Sequence, residues 1–288
     1  MHSVLSIWRE MGRVWFDAIS SPFFVALYVA IFFAISWSYG RKQPQADKSV
    51  LLKSAGFSAL IGLAAGLLGS SLLVVAGIDV RRLNILALWL IALGLALFNT
   101  RFICFAYAGG LLALFSLMAS NSDYCVPHLT GLIAILHLIE SGLILADGST
   151  QAQLVSFKKA GQPVQVFRLQ RFWPLLLVVS CSSSDYGLGH TMPSWWPLLK
   201  CHPPRPEDSL YIMLPVLAIL GYGEIASQTA PRRTVVRSAR NLAVYSLILL
   251  ILSLMASYYP VISWLAAVFA PLGHEIVIWM GTRDVLRT

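Results

Sequence analysis

Charged residues are scarce in this chain: Asp, Glu, Lys and Arg make up 12% of its 288 residues, against roughly a quarter in a soluble domain. With 57% of the residues hydrophobic, that scarcity excludes an ordinary water-soluble fold. Cysteine is sparse as well, four residues without a C-x-x-C pair or zinc spacing, which excludes zinc-finger and thioredoxin-type chemistry. Phosphate-cradling and dinucleotide-binding glycine patterns are missing, and so is the G-x-S-x-G elbow of serine hydrolases. A cleavable leader is not expected, because the first apolar run follows about 20 residues that include Glu10 and Asp17 and is longer than an h-region.

What the chain has instead is a series of apolar runs separated by short basic linkers. Runs at 22–37, 55–77, 83–98, 102–119, 131–146, 210–226, 242–258 and 260–280 read as spans. The expected fold is an all-α polytopic membrane protein with about eight transmembrane helices, preceded by an amphipathic lead over 1–21. Between helices five and six, 147–208 mixes polar and aromatic residues and holds no long apolar run. There LVSF, KKAGQP and VQVFRL predict a β-hairpin at the membrane surface, with Trp173, Trp195 and Trp196 at headgroup level. The organisation is thus 1–146 with five spans, 147–208 as an extramembrane insertion, and 209–288 with three spans and a short tail.

The net charge of +8 sits mostly in short loops, where basic residues set orientation. Putting both termini on the cytoplasmic side of the inner membrane gathers Arg9, Arg13, Arg81, Arg82, Arg232, Arg233, Arg237, Arg240, Arg283 and Arg287 inside. The short outer loops then hold Arg41, Lys42, Lys48, Lys53 and Arg101. Lipid is the first partner this implies, and nucleic acid is not needed to explain the charge. The cluster Arg232, Arg233, Arg237 and Arg240 reads as a cytosolic loop, either a topology signal or a contact for anionic lipid or an acidic partner. Gly62, Gly66 and Gly69 in the second span allow close helix packing, within the chain or in a homo-oligomer. Cys181 and Cys201 flank the long loop and could pair if it is exported. Cys104, inside an apolar run, reads as a small buried hydrophobe.

Polar residues inside the spans carry the functional question. His137 and Glu140 lie three apart in GLIAILHLIESGLILA and share a helix face. Charge in hydrocarbon is costly, so that face must turn inward. Glu224 in LGYGEIAS and the pair His274 and Glu275 in PLGHEIVIW belong to other spans. HEIVI lacks the second histidine of the zinc-protease H-E-x-x-H pattern, since Ile278 stands in its place. His137, Glu140, Glu224, His274 and Glu275 therefore read first as a polar core that fixes helix register. A metal site from His137, Glu140, His274 and Glu275, or proton-coupled transport, is the alternative. No catalytic residue and no cofactor is assigned from these patterns alone.

Taken in order, SPFFVALYVAIFF, NTRFICFAYAGGLLALFSL, HLIESGLILADG, FRLQRFWPLLLVV, LAILGYGEIA and LAAVFAPLGHEIVI resemble the membrane half of PDZ-containing polytopic proteins of Gram-positive-type bacteria. That group includes the MinJ-type division-site topology proteins. The resemblance implies a non-enzymatic membrane scaffold that positions cytosolic or membrane protein partners, in cell division for the MinJ type. In that family the last span leads into a PDZ domain; here eight residues follow Met280, so PDZ-type peptide recognition is not carried over.

Overall fold

A computed structural model describes residues 4–42, 47–119, 124–150, 152–159, 162–183, 192–201, 210–227 and 231–287. Among them, six helices are long and apolar enough to cross a membrane. The axis of the bundle is α6 (Val126–Asp147), whose residues from Val126 to His137 are buried on every side. Pro127 starts it, where a missing N–H costs nothing. One end of the bundle is marked by a disulfide between Cys125, just ahead of α6, and Cys201. The other is marked by α7 (Pro231–Ala256), where Arg232 Nη1 donates to the Leu145 carbonyl at 2.7 Å.

Helices α1 (Val4–Ser20) and α2 (Pro22–Lys42) follow one path antiparallel to α3 (Lys48–Ala76). Ile7 packs with Val74, Tyr28 donates to the Ala59 carbonyl at 2.8 Å, and Tyr39 lies with Leu51 and Ala55. The helix α3 stops at Gly77, which is left-handed at φ 76; a Cβ there would sit 2.1 Å from the Pro197 ring. After a single turn at Val80–Leu83 come α4 (Ile85–Phe98), a second turn at Thr100–Ile103 and α5 (Phe105–Met118). With 14 residues, α5 is about 21 Å long, too short to span. It starts with Cys104 beside His137, halfway along α6, and runs back past Ile133 toward the disulfide end. The α4–α5 connection therefore lies at mid-bundle. Finally α8 (Ile262–Arg287) returns toward the arginine end.

The sixth apolar run is not a helix. Strands β1 (Gln153–Lys159), β2 (Gln162–Ser182) and β3 (Tyr211–Ser227) form one antiparallel sheet in that order. The ladder of β2 and β3 runs from Val166↔Ser227 to Ser182↔Tyr211, about 55 Å of strand, and lies against α3. So the expected hairpin exists as β1 and the start of β2, at the arginine end, and β2 continues from it along the bundle as the partner of β3. Gly62 and Gly66 make this packing feasible, because a Cβ on either would fall 2.2 Å from the Pro174 oxygen or 2.5 Å from the Leu176 oxygen.

Buried peptide groups outside a ladder need other partners, and along the outer edge of β2 side chains supply them at five positions. Phe172 N–H donates to Tyr39 Oη at 3.0 Å, and Val178 N–H to Ser70 Oγ at 2.8 Å. The Pro174 carbonyl accepts from Tyr28, the Leu176 carbonyl from Trp15, and Ser182 N–H donates to Asp79. All five positions are even-numbered, so the odd ones point at β3. The same alternation puts the N–H groups of even β3 residues toward β2. Pro174 and Pro215 then both fall where a strand N–H would point out of the ladder, the one place proline is tolerated.

Sheet, α3 and α6 are joined by a buried ion pair that patterning did not reveal. Arg171 and Asp147 are 1% and 0% exposed. Arg171 Nε and Nη2 donate to the two Asp147 oxygens at 2.8 and 2.9 Å, and its remaining N–H groups reach Ser54 and Ser58. Trp173 Nε1 and Ser58 Oγ complete the carboxylate at 2.8 and 2.9 Å. Trp173 is thus fully buried inside the protein, Trp196 is buried with its Nε1 on the Val74 carbonyl, and Trp195 is exposed.

Other expectations are also corrected. Cys201 bonds to Cys125, while Cys181 is free, because Leu199 N–H donates to the Ala76 carbonyl and holds that segment over the start of α6. The arginine cluster is not a loop but the first turns of α7. Along the bundle, Ile7 lies by Val74 near the disulfide end and Gly281 lies by Glu224 at the arginine end.

Candidate functional site

Three side chains from three elements meet at the middle of the bundle. Cys104 precedes the first turn of α5, His137 is at the centre of α6, and His274 is on α8. Cys104 Sγ lies 3.1 Å from His137 Nε2 and 3.6 Å from His274 Nε2. The donor atoms all fall within 4.8 Å of one another. Tetrahedral coordination with bonds of about 2.0–2.3 Å gives ligand separations of about 3.3–3.8 Å, and the two sulfur–imidazole separations are close to two edges of such a tetrahedron.

The hydrogen bonding of His137 prepares it for that role. Its Nδ1 lies 2.8 Å from the Ile133 carbonyl; a carbonyl only accepts, so Nδ1 carries the proton. The lone pair is then on Nε2, aimed at Cys104, as in histidines that ligate metals. His274 Nδ1 is buried without a hydrogen-bond partner. Tyr245 packs its ring on both imidazoles and donates to the Ala270 carbonyl at 2.7 Å, which fixes the rings in place. Proline lies close by too: Pro271 sits inside α8 one turn before His274, and Gly110 of α5 lets it approach, since a Cβ there would be 2.4 Å from the proline ring.

A second group, Cys125, His128 and Cys201, also has ligand types at short range. It is differently committed. Both sulfurs are in the disulfide, His128 Nε2 reaches the Leu199 carbonyl at 3.1 Å, and its Nδ1 accepts from Asp79 N–H at 3.3 Å. No lone pair remains to bind an ion.

His274 is one wall of a cavity of about 500 Å³ between α6, α7, α8 and β3, in which Glu140 and Glu224 also take part. Glu140 Oε2 is 4.0 Å from His137 Nε2, with its side chain 16% exposed. Glu224 sits toward the arginine end, accepting from Tyr222 Oη at 2.8 Å and from Ser238. Of the five polar residues expected as a core, the cavity and the cluster gather His137, Glu140, Glu224 and His274. Glu275 is turned away: it pairs with Arg101 from the α4–α5 connection and accepts from Tyr107 Oη at 2.7 Å. All four arginines of the cluster are exposed on α7; Arg237 also borders the cavity and Arg232 donates to the Leu145 carbonyl.

Cys104 is the residue that sequence reasoning missed. A lone cysteine in an apolar run carries no signal, and only the turn ahead of α5 brings it to His137. The available hint was positional, since it follows Asn99, Thr100 and Arg101 at a break between two spans. Comparison with protein-family models, with curated proteins and with solved structures finds no match to this chain.

Proposed function

We propose that this chain is a multi-pass protein of the cytoplasmic membrane built around an intramembrane metal site. Cys104, His137 and His274 would bind a divalent transition metal, zinc by ligand type, and the fourth position would open toward the cavity. Three protein ligands with one open position is the arrangement of catalytic rather than structural zinc, and a metal in it lowers the pKa of bound water to about 7. Glu140, 4.0 Å from His137 Nε2, would be the group placed to take a proton from such a water, and hydrolysis would be the reaction class. The arginine end of α7 faces the cytoplasm, as basic residues beside spans do.

The observation that carries this reading is the convergence of two imidazole nitrogens on one thiol. A cysteine nucleophile needs a single histidine, whereas register-fixing polar contacts do not require both Nε2 atoms to point at the same sulfur. Cobalt substitution tests it. A thiolate-to-cobalt charge-transfer band in the purified protein that disappears in Cys104→Ser supports the site, and its absence from the wild type refutes it. A second reading keeps the resemblance to MinJ-type proteins: a scaffold that engages acidic partners or anionic lipid through Arg233 and Arg240, whose exposure on α7 favours it.

A further inference from the structure

The inner face of the cavity is the edge of a β-sheet. The five consecutive residues 221–225 border it, as an edge does; a sheet face would present alternate residues. Because even-numbered residues of β3 bond to β2, the N–H and C=O groups of Leu217, Ile219, Gly221 and Gly223 point away from the ladder. Among the described residues no hydrogen bond reaches them, although the outer edge of β2 has a side-chain partner at position after position. Gly221 and Gly223 are exposed, and Ile219 is 52% exposed. Bare peptide groups at this depth are tolerated only beside water or beside another polypeptide.

We infer that β3 takes up an extended, apolar segment of polypeptide as a fourth strand, with residues 217–225 as the docking edge. An extended chain is the ligand whose N–H and C=O groups repeat at the spacing of a strand edge. Pro215 ends the edge on one side, since it offers no N–H. On the other, Val277 and Ile278 give the cavity apolar wall for the guest side chains. The same cavity contains His274 and Glu140, so a docked segment runs beside the metal site. Polypeptide is thereby named as the substrate class for that site, and this step, though not the docking itself, rests on the function proposed above.

The test uses the full chain in nanodiscs and a synthetic twelve-residue peptide of alternating Val and Thr carrying one benzophenone. A second peptide has the same sequence but N-methyl groups on alternate residues, which removes the donors of one edge. Photo-adducts mapped to residues 217–225 with the first peptide and not the second are the expected result. Gly223→Pro deletes one outward N–H without touching the ladder, and a Cβ at that position meets nothing within 4 Å. It weakens capture roughly three- to tenfold, the worth of one hydrogen bond, whereas Gly223→Ala leaves it unchanged. Equal adducts from both peptides, or none from either, overturn the proposal. So does a disulfide-linked dimer formed through Ile219→Cys without peptide adducts, because it gives the edge to a second copy. Adducts on protein that binds no metal uphold the docking edge and refute the metal reading, so the two claims fail separately.

Discussion

Replacing Asp147 by asparagine removes the counter-charge of a guanidinium that is 1% exposed. One carboxylate oxygen accepts from Arg171 Nε, Trp173 Nε1 and Ser58 Oγ, and the other from Arg171 Nη2. Either orientation of the amide therefore turns its NH2 group toward at least one donor, and Arg171 stays charged with no anion beside it. Breaking a buried pair by removing one partner costs about 3–5 kcal/mol. The double variant Asp147→Leu with Arg171→Met removes both charges and is expected to lose much less than Asp147→Leu and Arg171→Met, made singly, lose in sum. Reversible unfolding in mixed detergent micelles, followed by tryptophan fluorescence, measures all four species of the cycle. An Asp147→Asn protein within about 0.5 kcal/mol of the wild type, or additive single effects, would refute the view that this pair joins β2 to α3 and α6.

Three further outcomes follow from the same geometry. Gly66→Ala pushes a Cβ to 2.5 Å from the Leu176 oxygen and is expected to cost about 1–3 kcal/mol by overpacking; Gly142→Ala, with nothing within 4 Å, should be neutral or slightly stabilising in the same assay. Cys201→Ser opens the disulfide to Cys125, 76 residues away in sequence. It should lower stability by about 2–4 kcal/mol and abolish the effect of reductant on the melting temperature, while Cys181→Ser leaves that effect intact. Arg233→Glu with Arg240→Glu should reduce binding to vesicles containing anionic lipid without changing the melting temperature, and unchanged flotation with such vesicles would remove the scaffold reading.

Much of the helical architecture is legible because spans are written in hydrophobic length. The runs behind α2, α3, α4 and α6 begin or end within a few residues of the helices observed. What misleads is the run at 210–226, which is apolar on both faces and so has no period to distinguish a buried strand from a helix. Pro215, Gly221 and Gly223 within it were compatible with a broken helix and equally with an edge strand. The candidate site was half legible. His137 and Glu140 declare a shared face through local spacing, and His274 stands out by its chemistry. Nothing in the chain says that Cys104 will meet them, because that contact depends on a helix that begins halfway through the bundle. Asp147 and Arg171 were hidden for a similar reason: each lies at the edge of an apolar stretch and looks like a boundary charge until β2 is seen to run inward.

The central claim is that Cys104, His137 and His274 hold a metal, and elemental analysis of the purified, folded protein tests it most directly. Protein prepared with zinc present should retain about one zinc per chain after dialysis. Cys104→Ser and His274→Ala should lose it without loss of fold, and Glu140→Gln should keep it. Wild-type protein that is folded yet free of metal, with Cys104 open to alkylation, would contradict the account.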